Sequence, residues 1–307
     1  MNLEQYKESY LQYCKGQKEL DDKTIKAYKI DLQQFIAFLH EYDMILNKET
    51  INSYLMHLHE GYKQKTVKRK IASVKAFFSY LEEEEIVESS PFHKIKTRFK
   101  EEMILPKIIP RNMIEELLEY LYQAVKDDEK SEQQKKYILR DIAIIELLFA
   151  TGLRISELCG LQDKAFDVKN GILWIKGKGK KERYLQVGNE EVLKTLKEYR
   201  EKFCKDILEH GYFFVNRYGH PMSEQSARRM LHKYVALMWK DVRITPHMFR
   251  HSFATYLMEE DVNIRYIQKL LGHSSITTTQ IYTFVAMEKE REILRTKHPR
   301  NKMLMGN

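Results

Sequence analysis

Apolar residues recur at helical spacing through the first ninety positions of the chain. Ile25, Tyr28, Leu32, Phe35, Phe38 and Leu39 form one stripe, and Val67, Ile71, Val74, Phe77, Phe78 and Leu81 form another. Intervals of three and four residues place each set on one face of a helix. Residues 1 to about 90 therefore predict several amphipathic helices, with both stripes as core faces. Asp21 or Asp22 offers an N-cap to the first stripe, and Ser90-Pro91 breaks the chain after the second.

The pattern then lapses. From Lys94 to Lys107 the chain is basic, poor in apolar periodicity and closes on Leu105-Pro106, as an interdomain linker would. This divides the chain into an N-terminal helical domain at 1–95, a linker at 96–106 and a second domain at 107–307. Helical patterning resumes from Met113 to Val125. Lys126 to Lys136 holds no apolar residue and predicts a solvated loop or helix end. A buried helix follows from Ile138 to Ala150, stopped by Gly152. The one clear β signal pairs Ile172-Leu173-Trp174-Ile175 with Tyr184-Leu185-Gln186-Val187 across Gly177-Lys178-Gly179-Lys180. That is a hairpin whose glycine-bearing turn thrusts Lys178 outward. The expected fold is mainly α with a small β-hairpin or sheet.

Composition adds bounds. At 307 residues the chain makes one large or two ordinary domains, and 43% hydrophobic content is enough for real cores. A net charge of +8 with 31% charged residues suits a polyanionic partner, although solubility alone would explain it too. Cys14, Cys159 and Cys204 are odd in number and widely spaced, so they predict neither a disulfide framework nor a zinc ribbon, but reduced packing residues. The start carries Glu4, Lys7 and Glu8 rather than a secretory signal. The longest apolar run, Ile142 to Ala150, is broken by Glu146 and too short to span a bilayer. A cytoplasmic protein without a membrane partner is expected.

One helix of the first domain carries a second signal. Between Gly61 and Lys75 stand Lys63, Lys65, Lys68, Arg69, Lys70 and Lys75 with no acidic residue, opposite the apolar Val67, Ile71, Val74 and Phe78. A helix with one apolar and one basic face suits a DNA groove. A solvated face is the commoner alternative, but it would usually intersperse acids.

The chemistry-bearing residues gather in the second half. Thr245-Pro246 predicts a helix start, with His247 and Arg250 three apart near its N-terminus, where free N–H groups and the dipole attract phosphate. His273 follows Leu270-Leu271-Gly272, so it falls in a tight turn between helices; there it could merely satisfy carbonyls. Tyr282 is one tyrosine among 19 and lies beside Ile281 and Phe284. Arg154 follows Thr151-Gly152-Leu153 between two helices. It either pairs with Glu157 or supplies a second guanidinium to the same phosphate. Lys178 is either a solvated loop charge or a mobile proton donor.

Taken together, their order is specific. Arg154, Lys178, His247-x-x-Arg250, Leu-Gly-His273 and Tyr282 resemble the tyrosine recombinase family of phage-type integrases and Xer recombinases, with Xer the most similar branch. The flanking text agrees: Thr-Gly-Leu-Arg-Ile-Ser-Glu-Leu, Gly-Lys-Gly-Lys-Lys-Glu-Arg, His-Met-Phe-Arg-His-Ser-Phe-Ala-Thr, and Leu-Gly-His-Ser-Ser-Ile-Thr-Thr-Thr-Gln-Ile-Tyr-Thr. The resemblance covers nearly the whole chain. It implies a two-domain clamp, with a SAM-like helical DNA-binding domain, a catalytic domain, and a tail from Val285 to Arg300 through which protomers touch.

The resemblance further implies a site-specific recombinase that cuts and rejoins DNA through a 3′-phosphotyrosyl bond, with neither metal nor cofactor. Tyr282 would be the nucleophile. Arg154 and Arg250 would brace the phosphate, His273 would hydrogen-bond it, Lys178 would protonate the leaving oxygen, and His247 would assist proton movement. Partners implied are double-stranded DNA with a specific core site and a homo- or hetero-tetramer of protomers. A regulatory DNA translocase joins them if the role is housekeeping resolution of chromosome dimers rather than integration of a mobile element. The rival readings are a type IB topoisomerase-like relaxing enzyme and a non-catalytic DNA-binding protein.

Overall fold

The computed structural model describes residues 2–93, 95, 107–176 and 182–272. They fall into two compact units, parted between Glu102 and Met103. The first holds α1 (Leu3–Gly16), α2 (Asp22–His40), α3 (Lys48–Gly61) and α4 (Gln64–Glu83). Three of these helices start on side-chain caps: Asn2, Asp21 and Asn47 accept from the backbone N–H of Gln5, Thr24 and Thr50. Asp21 is thus the cap of the first predicted stripe. Val67, Ile71, Val74, Phe77, Phe78 and Leu81 are all buried, as are Leu32, Phe35, Phe38 and Leu39, while Ile25 and Tyr28 are half-buried. α2 and α4 pack on these faces, and Phe35 sits edge-on to both Tyr54 and Phe78, at 4.8 and 5.9 Å between centroids.

The second unit is built around α6 (Glu132–Thr151), against which α5 (Arg111–Lys126), α8 (Glu190–Lys202) and α11 (Pro246–Glu259) pack. Every residue from Leu139 to Leu148 is buried, which marks a helix enclosed on all sides. α6 begins six residues before the predicted Ile138. Ser131 and Gln134 form a capping box, so part of the charged run from Lys126 to Lys136 is helical; only the stretch between Lys126 and Glu132 is loop. Gly152 ends α6 at φ +61°, its N–H bonded to the Leu148 carbonyl at 3.0 Å. A Cβ there would stand 2.6 Å from Phe253 Cδ1, so both backbone and packing require glycine.

After α7 (Ile155–Cys159) and a 3-10 turn at Asp163–Ala165 come β1 (Phe166–Asp167), β2 (Ile172–Lys176) and β3 (Glu182–Gln186). They form an antiparallel sheet in the order β1-β2-β3, with Ile172 opposite Gln186 and Trp174 opposite Tyr184. The predicted hairpin strands pair as expected. β1 is absent from the sequence expectation, because two residues are too few to show alternation. Leu173, Ile175 and Leu185 are buried, whereas Trp174 and Tyr184 face solvent. The chain continues through α8, α9 (Cys204–His210), α10 (Glu224–Met238), α11 and α12 (Ile264–Leu271). Cys14 and Cys159 are buried as packing residues, but Cys204 is exposed at the start of α9, contrary to the sequence expectation. Among the described residues no helix is long and apolar enough to cross a membrane.

Candidate active site

The end of α6 sets the first site residue. Gly152 reverses the chain, and Arg154 becomes the N-cap residue of α7. Glu157, one turn on, accepts from the Arg154 backbone N–H and from Arg154 Nη1, both at 2.9 Å. The predicted Arg154–Glu157 pair therefore exists, and it leaves the Arg154 side chain 36% exposed with other donors to offer. The Glu157 side chain is only 7% exposed and is bidentate to a second arginine. Arg183 Nη1 and Nη2 each lie 2.9 Å from its oxygens. Burial alone would raise the Glu157 pKa, but the Arg183 and Arg154 bonds outweigh it and hold the carboxyl below its ordinary value.

α11 starts at Thr245-Pro246 as predicted, with Pro at N1, although the Thr245 side chain makes no capping bond. Its first turn presents His247 to solvent. Arg250, three residues on, is only 4% accessible. Its Nη1 donates to the Gly152 carbonyl at 2.8 Å and its Nη2 to the Leu271 carbonyl at 2.6 Å. One guanidinium thus clasps the C-terminal ends of α6 and α12, supplying donors to carbonyls that helices leave unpaired. His251 beside it is half-buried. Burial first, then the charges of His247 and Arg250, lower its pKa and favour the neutral imidazole.

His247 opens onto a groove with a cavity volume of about 640 Å³ between α7, α10 and α11. Arg228, Arg229, His232, Lys233, Arg243 and His247 line it, with Gln225, Ile155 and Thr245. No carboxylate stands among these lining residues. Glu224 pairs with Arg228 from the side, at 2.7 Å. A concave surface of this charge is an electrostatic seat for a polyanion.

The basic helix of the first unit is α4, with Lys63 as its N-cap residue, and the six cations do not share one face. Lys63 and Lys65 are exposed and Lys68 is half-buried. Lys70 departs from the expected solvent-facing position. It is 2% exposed, its Nζ 3.0 Å from the fully buried Asp31 Oδ1, hydrogen-bonded to Gln34, and 4.8 Å from the Tyr62 ring centroid. A buried carboxylate needs such a partner, and the sequence spacing alone could not reveal it. Arg69 reaches the same Asp31 while remaining exposed, and Lys75 is half-buried with its ammonium over Phe92.

The structure thus brings Arg154, Arg250 and, through the groove, His247 to one end of the second unit. Lys178, His273 and Tyr282 lie outside the described residues, as do the turn at 177–181, the linker at 96–106 and the tail from Val285. The sequence pattern assigns no role to Arg183. Its signal is its register: two residues before Leu185, it shares the inward face of β3, where a charge demands a partner.

Residues 111–289 match the model of the phage integrase family, and residues 8–85 match the phage integrase N-terminal SAM-like domain. A tyrosine recombinase of Agathobacter rectalis is 51% identical over 300 residues, covering 97% of this chain and 98% of that protein. Tyrosine recombinase XerD of Halalkalibacterium halodurans is 34% identical, covering 97% and 98%. Among solved structures, XerH recombinase on a palindromic difH substrate is similar in fold, with TM-score 0.72, 23% identity and coverage of 88% of this chain and 79% of that one. A lambda integrase dimer on a core site has TM-score 0.66 at 17% identity, covering 91% and 76%. The chain belongs to the phage integrase family and is a tyrosine recombinase, an enzyme of site-specific DNA strand exchange.

Proposed function

We infer that Tyr282 attacks one phosphate of a bound duplex and becomes covalently joined to DNA. The observation that carries this reading is the clasp of Arg250 on the Gly152 and Leu271 carbonyls. It anchors a guanidinium on the chain turn that leads into Arg154, beside the groove that His247 lines. The phenol oxygen forms a bond to phosphorus, the bond to the 5′-oxygen breaks, and the product is a 3′-phosphotyrosyl linkage with a free 5′-hydroxyl. The leaving oxygen takes a proton from Lys178. The phenol, ordinarily of pKa about 10, gives up its own with help from His247. Arg154, Arg250 and His273 neutralise the charge that builds on the non-bridging oxygens. The linkage stores the bond energy, so rejoining needs no nucleotide, and neither metal nor cofactor enters any step.

The partner is double-stranded DNA with a specific core site. The groove along α10 and the exposed Lys63 and Lys65 at the start of α4 supply phosphate contacts. Neighbouring folds were solved as XerH on difH and lambda integrase on a core site. Recombination joins two duplexes, which calls for four protomers, identical or of two kinds, in the cytoplasm. The work is dimer resolution, with a DNA translocase as regulator, or movement of a mobile element. Trapping the chain on DNA in cells and sequencing the attached fragments tests the reading. One recurrent core site supports it; attachment anywhere, with relaxation of any supercoiled plasmid, supports the topoisomerase alternative instead.

A further inference from the structure

The geometry points to Arg183 as a positioning residue for strand cleavage, tying the hairpin that carries Lys178 to both Arg154 and the end of α12 that leads into His273. The inference rests on the cleavage reading above. Arg183 stands on β3, two residues after the turn at 177–181. Its Nη1 and Nη2 take both oxygens of Glu157, and its Nε donates to the Leu270 carbonyl at 3.0 Å. The side chain is 13% exposed. All three nitrogens of its planar fork therefore donate, to two different elements besides its own.

Each contact has a consequence for a neighbour. Glu157 passes the restraint to Arg154, because the same carboxylate accepts from the Arg154 backbone N–H and Nη1. Without Arg183, Glu157 would lose two charge-assisted bonds and keep only Arg154, drawing that guanidinium away from substrate. The Leu270 bond acts on α12 next to the Leu271 carbonyl that Arg250 holds. Gly272 packs directly on the Arg183 side chain: a Cβ there would stand 3.0 Å from Nη1 and 3.1 Å from Cδ. Its φ of +63° already favours glycine. Arg183 and Arg250 together seat the α12 terminus from two sides, just before His273 in the chain. With all three nitrogens engaged inside the chain, Arg183 acts through these neighbours and sets the register of the groups that meet substrate.

The test measures single-turnover covalent-complex formation on a nicked suicide duplex built from the trapped core site. Compared are the wild type, Arg183→Ala, Arg183→Lys, Glu157→Gln and the Arg183→Ala/Glu157→Gln double variant. Arg183→Ala should cleave on the order of 10- to 100-fold more slowly, with affinity for intact duplex unchanged. The double variant should be no slower than the slower single variant, since both act through one contact. The acid limb of the cleavage pH profile should move to higher pH in Arg183→Ala, as Glu157 loses the cation that holds its proton off. Arg183→Lys, which keeps the charge but not the fork, should be slow at wild-type melting temperature, so the result stands even if alanine unfolds the chain. Wild-type cleavage rates in both Arg183 variants, or effects that multiply, would overturn the assignment. A wild-type chain that never joins DNA would instead overturn the function on which it rests.

Discussion

Lys70 Nζ lies 3.0 Å from Asp31 Oδ1, inside the first unit rather than on its surface, although it stands in the most basic helix of that unit. The ion pair converts one cation of α4 from a DNA contact into a fastener between α2 and α4. Removing Asp31 leaves the buried Lys70 ammonium without a counter-charge, so Asp31→Ala should destabilise the unit by about 3–5 kcal/mol, whereas Lys70→Met should cost less, because Arg69 still pairs with Asp31. Lys63→Ala and Lys65→Ala should leave melting unchanged. Titration of a core-site duplex across salt concentrations separates the two kinds of residue. The slope of log affinity against log salt should fall by roughly 0.9 for each phosphate that Lys63 or Lys65 no longer neutralises. It should not change with Lys70.

Arg250 serves two helix ends with one fork, and a lysine cannot. Arg250→Lys should lower single-turnover cleavage on the order of 100- to 1,000-fold, as loss of a preorganised donor does. It should cost only about 1–3 kcal/mol of stability from the carbonyl left without a donor. Rapid-quench kinetics and a thermal melt read the two effects separately.

Gly152 and Gly211 both end helices at positive φ, but only Gly152 is crowded by a side chain. Gly211→Ala should cost about 1–2 kcal/mol, the left-handed backbone penalty alone. Gly152→Ala must also displace the Phe253 ring, which a Cβ would approach to 2.6 Å. It should melt several degrees lower still, at roughly 2–4 °C per kcal/mol. Equal melting temperatures would show that Phe253 yields freely.

Glu146 is buried in α6, with Tyr122 donating to it at 2.9 Å, and burial raises its pKa. A carboxyl with a raised folded-state pKa contributes most below its unfolded value of about 4.3 and loses that contribution as pH climbs through the folded value. Glu146→Gln keeps an acceptor for Tyr122 and removes the charge. Its melting temperature should exceed that of the wild type at pH 8 and converge with it near pH 4. A variant less stable at both pH values would contradict this.

Periodicity locates α2, α4, α6 and the hairpin, because stripes of buried residues are long enough to read. It misses β1, two residues long, and puts the start of α6 too late, because the first turn of that helix is polar and held by Ser131 and Gln134. Within the site, residue order alone nominates Arg154, His247 and Arg250 as candidates. What the sequence hides are partners distant along the chain: Asp31 for Lys70, Arg183 for Glu157, and the Gly152 and Leu271 carbonyls for Arg250. Each is a pairing forced by burial, and a one-dimensional pattern shows a buried charge without naming its counterion.

Tyr282 is the side chain expected to become joined to DNA, and trapping the joined product tests this. A nicked suicide duplex carrying the trapped core site is incubated with the wild type and with Tyr282→Phe, and covalent protein–DNA adduct is counted after denaturation. The wild type should accumulate an adduct on the 3′ side of the break. Tyr282→Phe should bind the intact duplex with unchanged affinity and form none. An adduct that survives in Tyr282→Phe would contradict the account.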